Sequence, residues 1–182
     1  MIRYPLKSGL SFIFVFMSVR LRALLESDAA AIARLLNNKK IWDNLRDFIP
    51  LPYSINDAQI FIKQCGEDQP QKHFAIEYKN ELVGVIGFIP QDDIYRKNAE
   101  LGYWLGEPYW NKGIMTQAIT LAVDFAFLEL KIVRIFAHVF DRNIPSQKVI
   151  AKAGFNPDYI SKKAVIKNRI ILDEYRFSIV KD

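Results

Sequence analysis

Residues 99–119 read AELGYWLGEPYWNKGIMTQAI. The first seven form an apolar strand pattern, Pro108 interrupts it, and Trp110-Asn111-Lys112-Gly113 turns the chain into a long helix. In that helix Ile114, Ala118, Leu121, Ala122 and Phe125 fall on one face. The opening amides of a helix have no intrahelical acceptor, and the macrodipole makes that end positive. Gly113 lets a backbone come close to an anion, and Lys112 adds a mobile cation. A strand feeding a helix through a tight loop is a natural phosphate cradle, although one glycine and one lysine also suit an ordinary helix start.

A second window, residues 141–155, reads DRNIPSQKVIAKAGF. Asn143 and Ser146 stand three apart where a strand gives way to a helix that Gly154 closes. Taken alone, Asn143 is a helix cap.

Working outward, residues 18–24 read as a strand. Ser27-Asp28 offers an N-cap and a first-turn acid for a helix that Asn37-Asn38 ends. Pro50 and Pro52 keep residues 42–53 irregular, and Ser54 with Asp57 opens a second helix to about residue 64. Strands follow at 73–78 and 82–89, joined by the hairpin dipeptide Lys79-Asn80. After the long helix, 113–129, come a strand at 132–140, a helix at 144–153 and a final hairpin, 158–165 with 170–180. The order is strand, two helices, three strands, helix, strand, helix, two strands. That is a mixed α/β sheet in one domain.

The chain has 182 residues, 51 % hydrophobic and 25 % charged, which excludes a disordered chain or a disulfide scaffold. Its net charge of +5 points to an anionic partner such as a phosphate-bearing cofactor. The basic residues are neither clustered nor interleaved with aromatics, so nucleic acid is not expected. One cysteine and two histidines make no zinc set, so no metal is expected, and the single cysteine suits the cytoplasm. The apolar run LSFIFVFMSV at 10–19 is too short to cross a membrane and is followed by no small-x-small cleavage site. We expect residues 1–17 to be an ordered strand-like extension before a single domain, 18–182. Such an apolar edge either helps form a homodimer or packs on its own domain.

Together the two windows resemble the GNAT N-acetyltransferase superfamily, specifically its ribosomal-protein N-terminal acetyltransferase branch. The first is similar to AEIGYWL-x-x-x-YWGKGYATEA, the second to N-x-x-S-x-x-x-x-x-K-x-GF. The resemblance implies a mixed central sheet flanked by helices, with strands splayed at the cofactor site and acetyl-CoA as cosubstrate. It implies that Trp110, Asn111, Lys112, Gly113, Ile114 and Met115, with Thr116, wrap the pyrophosphate through backbone amides. Trp110 stands where many members have Gln or Arg, and Met115 where they have a small residue. Tyr103, Trp104 and Leu105 would offer free backbone to the pantetheine arm, as a peptide adds to a sheet edge. Asn143 and Ser146 would hold that arm as well.

Acetyl transfer needs a neutral amine, a stabilised oxyanion and a protonated leaving thiolate. The resemblance puts a carboxylate at Glu100, the candidate base, and a serine at Ser146, the candidate acid. Many members use a tyrosine at the position of Ile150. Among the remaining titratable groups, His138 alternates with Phe136 and Phe140 on one strand face and reads as a half-buried structural histidine. Trp42, Asn44, Arg46, Phe48 and Tyr53 are candidates for the acceptor side. The expected function is acetyl transfer to a primary amine, a protein N-terminus first. A small amine acceptor and a non-catalytic acetyl-CoA-binding protein are the alternatives.

Overall fold

The computed structural model describes residues 19–181. The expected extension at 1–17 therefore lies outside the described residues. Along the chain come β1 (Val19–Arg22), α1 (Ala29–Leu36), α2 (Lys39–Trp42), α3 (Ile55–Gly66), β2 (His73–Tyr78), β3 (Glu81–Pro90) and β4 (Asn98–Leu105). They are followed by α4 (Ile114–Leu128), β5 (Arg134–Phe140), α5 (Ile144–Lys152), β6 (Asn156–Lys167) and β7 (Ile170–Val180). One seven-stranded sheet runs β1-β2-β3-β4-β5-β7-β6, with β4 and β5 parallel and every other neighbour antiparallel.

Both faces of the sheet centre are covered, which is why β3 reads as a continuous apolar run. Val83, Ile86 and Phe88 join Ile114, Ala118 and Ala122 of α4 in one core. Leu82 and Val85 join Ile32 and Leu36 of α1 and Ala58 and Ile62 of α3 in the other. Lys79 and Asn80 take positive φ, 53° and 64°, as a two-residue hairpin turn requires. The Ser54–Asp57 capping box at α3 forms as expected.

Asn37-Asn38 ends α1 at Leu36 as expected. Asn38 Oδ1 also accepts the Lys40 N–H at 2.9 Å and caps the short α2, which was not expected. One local expectation is corrected: Ser27-Asp28 does not cap α1 through a side chain. Asp28 instead pairs with Arg22 at 2.7 Å and accepts the Leu25 N–H at 2.8 Å, so both its oxygens are engaged by the chain before α1.

The site is positioned by where pairing stops. Only Asn98, Ala99 and Glu100 of β4 register with Arg134, Ile135 and Phe136 of β5. Beyond them β4 continues against β3 as far as Leu105, and β5 against β7 as far as Phe140. The strands part, and the gap between them exposes two backbone edges.

Candidate active site

The start of α4 closes one side of the gap. Trp110 Nε1 donates to the Leu105 carbonyl at 2.7 Å, folding the turn back onto the end of β4. Asn111 and Gly113 both adopt positive φ, 59° and 72°, and Gly113 is the residue before the first helical turn. A Cβ built on Gly113 would meet nothing nearer than Gln117 Nε2 at 4.0 Å, so space is open above the helix end. Ile114 and Met115 are buried in the α4 core, which leaves their backbone as what the helix end can present. The Met115 side chain thus stays clear of the turn. Lys112 donates to the Pro108 carbonyl at 2.8 Å and lies over the Tyr109 ring, so its charge is partly engaged. Thr116 is half-buried in the first turn.

The start of α5 closes the other side. Asn143 Oδ1 accepts the Ser146 N–H at 3.2 Å, which is the capping role. Ser146 Oγ lies 2.7 Å from the Tyr103 hydroxyl. Burial pushes the Tyr103 phenol up to about 12, against the opposing hydrogen bond from Ser146. Ile150 is fully buried in the core, so α5 brings no phenol here; β4 does. The motif resemblance implies only a backbone role for Tyr103. Strand alternation, which puts Tyr103 on the α4 side with Leu101 and Leu105, was the signal that its hydroxyl faces α5.

Glu100 lies on the opposite face of β4, with Gly102 and Trp104. Gly102 has no neighbour within 4 Å of a built Cβ, so the strand is bare beside Glu100. Arg46 hydrogen-bonds Glu100 Oε1, and His138 Nδ1 is 3.6 Å from the same oxygen. Burial pushes the Glu100 carboxyl up, but His138 and Arg46 together outweigh it and hold it below the ordinary glutamate range. The His138 ring meets Phe136 edge-on at 5.4 Å, and the Arg176 guanidinium covers the other ring at 4.0 Å. His138 is thus brought to the site. Its period-2 placement was legible, but not the strand that would face it.

The acceptor-side candidates divide. Arg46 reaches Glu100. Phe48 is 78 % exposed on the same segment. Trp42 donates to the Ile49 carbonyl at 2.7 Å and has Lys167 on its ring, so it braces that segment. Asn44 bonds the Lys40 carbonyl. Tyr53 is buried in the α1–α3 core with its backbone bonded to Asn37. An aromatic in a proline-rich loop fits either setting, and tertiary packing decided for the core.

Among the described residues no cluster of His, Cys, Asp and Glu could hold a metal, and no helix is long and apolar enough to cross a membrane. Cys65 is buried, and its thiol is pushed up to about 12 by burial, so it is an inert core group.

Parted parallel strands flanked by two helix starts, with a carboxylate on one face and a hydroxyl pair on the other, make up the candidate site, and the fold that carries it is that of an acyltransferase. Comparison with known proteins gives the family. The acetyltransferase (GNAT) domain matches residues 18–156. The probable N-acetyltransferase YjcK of Bacillus subtilis is 36 % identical over 116 residues, 63 % of this chain and 64 % of that protein. The spermidine N(1)-acetyltransferase of Escherichia coli is 26 % identical, covering 76 % of this chain and 73 % of that protein. Among solved structures, RimL, a ribosomal L7/L12 alpha-N-protein acetyltransferase in complex with coenzyme A, superimposes with a TM-score of 0.81. It is 26 % identical over 93 % of this chain and 98 % of that one. This chain belongs to the GNAT acetyltransferases, which take the acetyl group from acetyl-CoA.

Proposed function

We propose that the protein transfers acetyl directly from acetyl-CoA to a protein N-terminal amine, with Glu100 as base and the Tyr103–Ser146 pair as acid. The observation that carries this is the parting of β4 from β5, which leaves Glu100 on one face of the gap and the hydroxyl pair on the other. In this reading pantetheine lies along the free edge of Tyr103, Trp104 and Leu105, and the amides of residues 111–116 receive the pyrophosphate. The amine arrives on the Glu100 face. The acceptor ammonium first gives one proton to Glu100, directly or through water, and Glu100 releases it to solvent. The neutral nitrogen then attacks the thioester carbonyl, a backbone N–H near Leu105 receives the oxyanion, and the second excess amine proton passes to Glu100. When the C–S bond breaks, the thiolate takes a proton from Ser146, Ser146 takes one from Tyr103, and solvent reprotonates the phenolate while Glu100 returns its proton to solvent.

The acceptor assignment draws on the ribosomal-branch motifs and the likeness to RimL. A polyamine is the second reading, favoured by the likeness to the spermidine acetyltransferase. Thiol release with acetyl-CoA tests both. A peptide carrying a free N-terminus should exceed spermidine by about tenfold or more in kcat/KM. The reverse ranking would replace the first reading with the second.

A further inference from the structure

Arg46 is carried on the irregular segment between α2 and α3, and that segment is gripped from outside. At the tip of the β6–β7 hairpin, Lys167 Nζ lies 2.6 Å from Asp47 Oδ1, and Asn168 Nδ2 lies 2.7 Å from Asp43 Oδ1. Arg142, just before α5, donates to the Asp43 carbonyl at 2.7 Å. Only 1 % of the Lys167 side chain is exposed, and its ammonium lies 3.5 Å from the centre of the Trp42 ring. A lysine this deep is tolerated because a carboxylate and an aromatic face receive it. The clasp fixes the segment, and the segment fixes Arg46.

Arg46 ends on the carboxylate that the proposed reaction needs. An acceptor amine is an ammonium ion at neutral pH, and Glu100 must receive its proton. The guanidinium already donates to Glu100 Oε1, with His138 at 3.6 Å from that oxygen and Arg176 behind Phe136. A second cation at Glu100 therefore meets like charge until Arg46 leaves. Arg46 is free to leave: its side chain is 55 % exposed, whereas that of Glu100 is 16 % exposed.

We propose that Arg46 is an internal stand-in for the acceptor's ammonium group, displaced from Glu100 when acceptor binds, and that Lys167 is the positioning residue that sets how firmly the stand-in is held. The acceptor class that follows is an amine that enters as a cation. This rests on the reading of Glu100 given above, so the test has one arm independent of turnover.

That arm uses methylguanidine as the probe and the imidazole NMR signals of His138, assigned with a His73→Gln variant. In full-length Arg46→Ala, methylguanidine should shift the His138 signals saturably. In the wild type, whose site is filled, and in Arg46→Ala/Glu100→Gln, it should not. The kinetic arm measures acceptor KM with the best amine. Removing a partly exposed ion pair should lower KM about fivefold in Arg46→Ala, and less in Lys167→Met. Lys167→Arg should keep the wild-type KM, and unchanged acetyl-CoA affinity shows that each variant is folded. Methylguanidine that fails to move His138 in Arg46→Ala, or moves it equally in the wild type, overturns the stand-in. So does a raised acceptor KM in Arg46→Ala, which would make Arg46 an ordinary acceptor contact. A wild type that releases no thiol with any amine would instead sink the functional reading, while the NMR arm still decides the stand-in.

Discussion

The Tyr103 hydroxyl on β4 lies 2.7 Å from Ser146 Oγ on α5, so a strand supplies the phenol that Ile150 cannot. Because burial keeps the phenol protonated to about 12, it keeps its proton throughout the neutral range, and either hydroxyl can donate to the other. Ser146→Ala should lower kcat by about 10- to 100-fold, and Tyr103→Phe by less. The double variant should fall short of the product of the two, since the pair acts as one donor. Steady-state kinetics with acetyl-CoA in excess makes the comparison; fully multiplicative losses would mean that the two hydroxyls act separately.

Glu100 is held ionised by His138 and Arg46, so it is ready to take a proton at neutral pH. Glu100→Gln should cost most near neutrality and least at high pH, where the acceptor amine is already deprotonated. A pH–rate profile of both proteins checks this. A uniform loss at every pH would make Glu100 a structural partner of Arg46.

Gly113 stands at φ 72°, in the left-handed region, with nothing nearer a built Cβ than Gln117 Nε2 at 4.0 Å. Gly113→Ala should therefore strain the turn by about 1 kcal/mol and place a methyl group where the cofactor approaches. Its acetyl-CoA Kd should rise more than that of Lys112→Ala, which loses a bond to the Pro108 carbonyl and a contact with the Tyr109 ring. Calorimetric titration gives both constants; the opposite order would show that side-chain charge holds the phosphates.

Asp28 anchors the entry to α1 through Arg22, at 2.7 and 2.8 Å, and the Leu25 amide. Burial pushes its carboxyl up, but the Arg22 pair and the Leu25 amide outweigh it, so it titrates below its value in the unfolded chain. In acid the unfolded chain then binds the extra proton, and stability is lost as pH falls through the folded-state value. Asp28→Asn should cost about 2 kcal/mol at neutral pH and flatten that acid slope. Urea unfolding at several pH values measures it.

Local chemistry made much of this fold legible. The Ser54–Asp57 box, the Lys79-Asn80 turn, the apolar stretch of β4 and the alternation of β5 each act over a few residues, and each appears where expected. Asn37-Asn38 ends α1 as read, but α2 was missed because a residue that follows one helix can also cap the next. The site's side-chain partnerships were not legible. Arg46 meets Glu100 across 54 residues, Tyr103 meets Ser146 across 43, and Lys167 meets Asp47 across 120. Those meetings depend on which strands part and where the hairpin tip lands, and spacing along the chain carries neither. The places of Glu100, Ser146 and Gly113 in the fold were legible, because the motif sets the first within β4 and the others at the starts of α5 and α4.

Coenzyme A release from acetyl-CoA, followed as free thiol, tests the account most directly when two forms of one peptide are compared. One form has a free N-terminal amine, and the other has the same residues with that amine already acetylated. The account predicts steady thiol release with the free amine, none above background with the blocked peptide, and loss of most of the signal in Glu100→Gln at neutral pH. Equal release from both peptides, or release unaffected by Glu100→Gln, would contradict it.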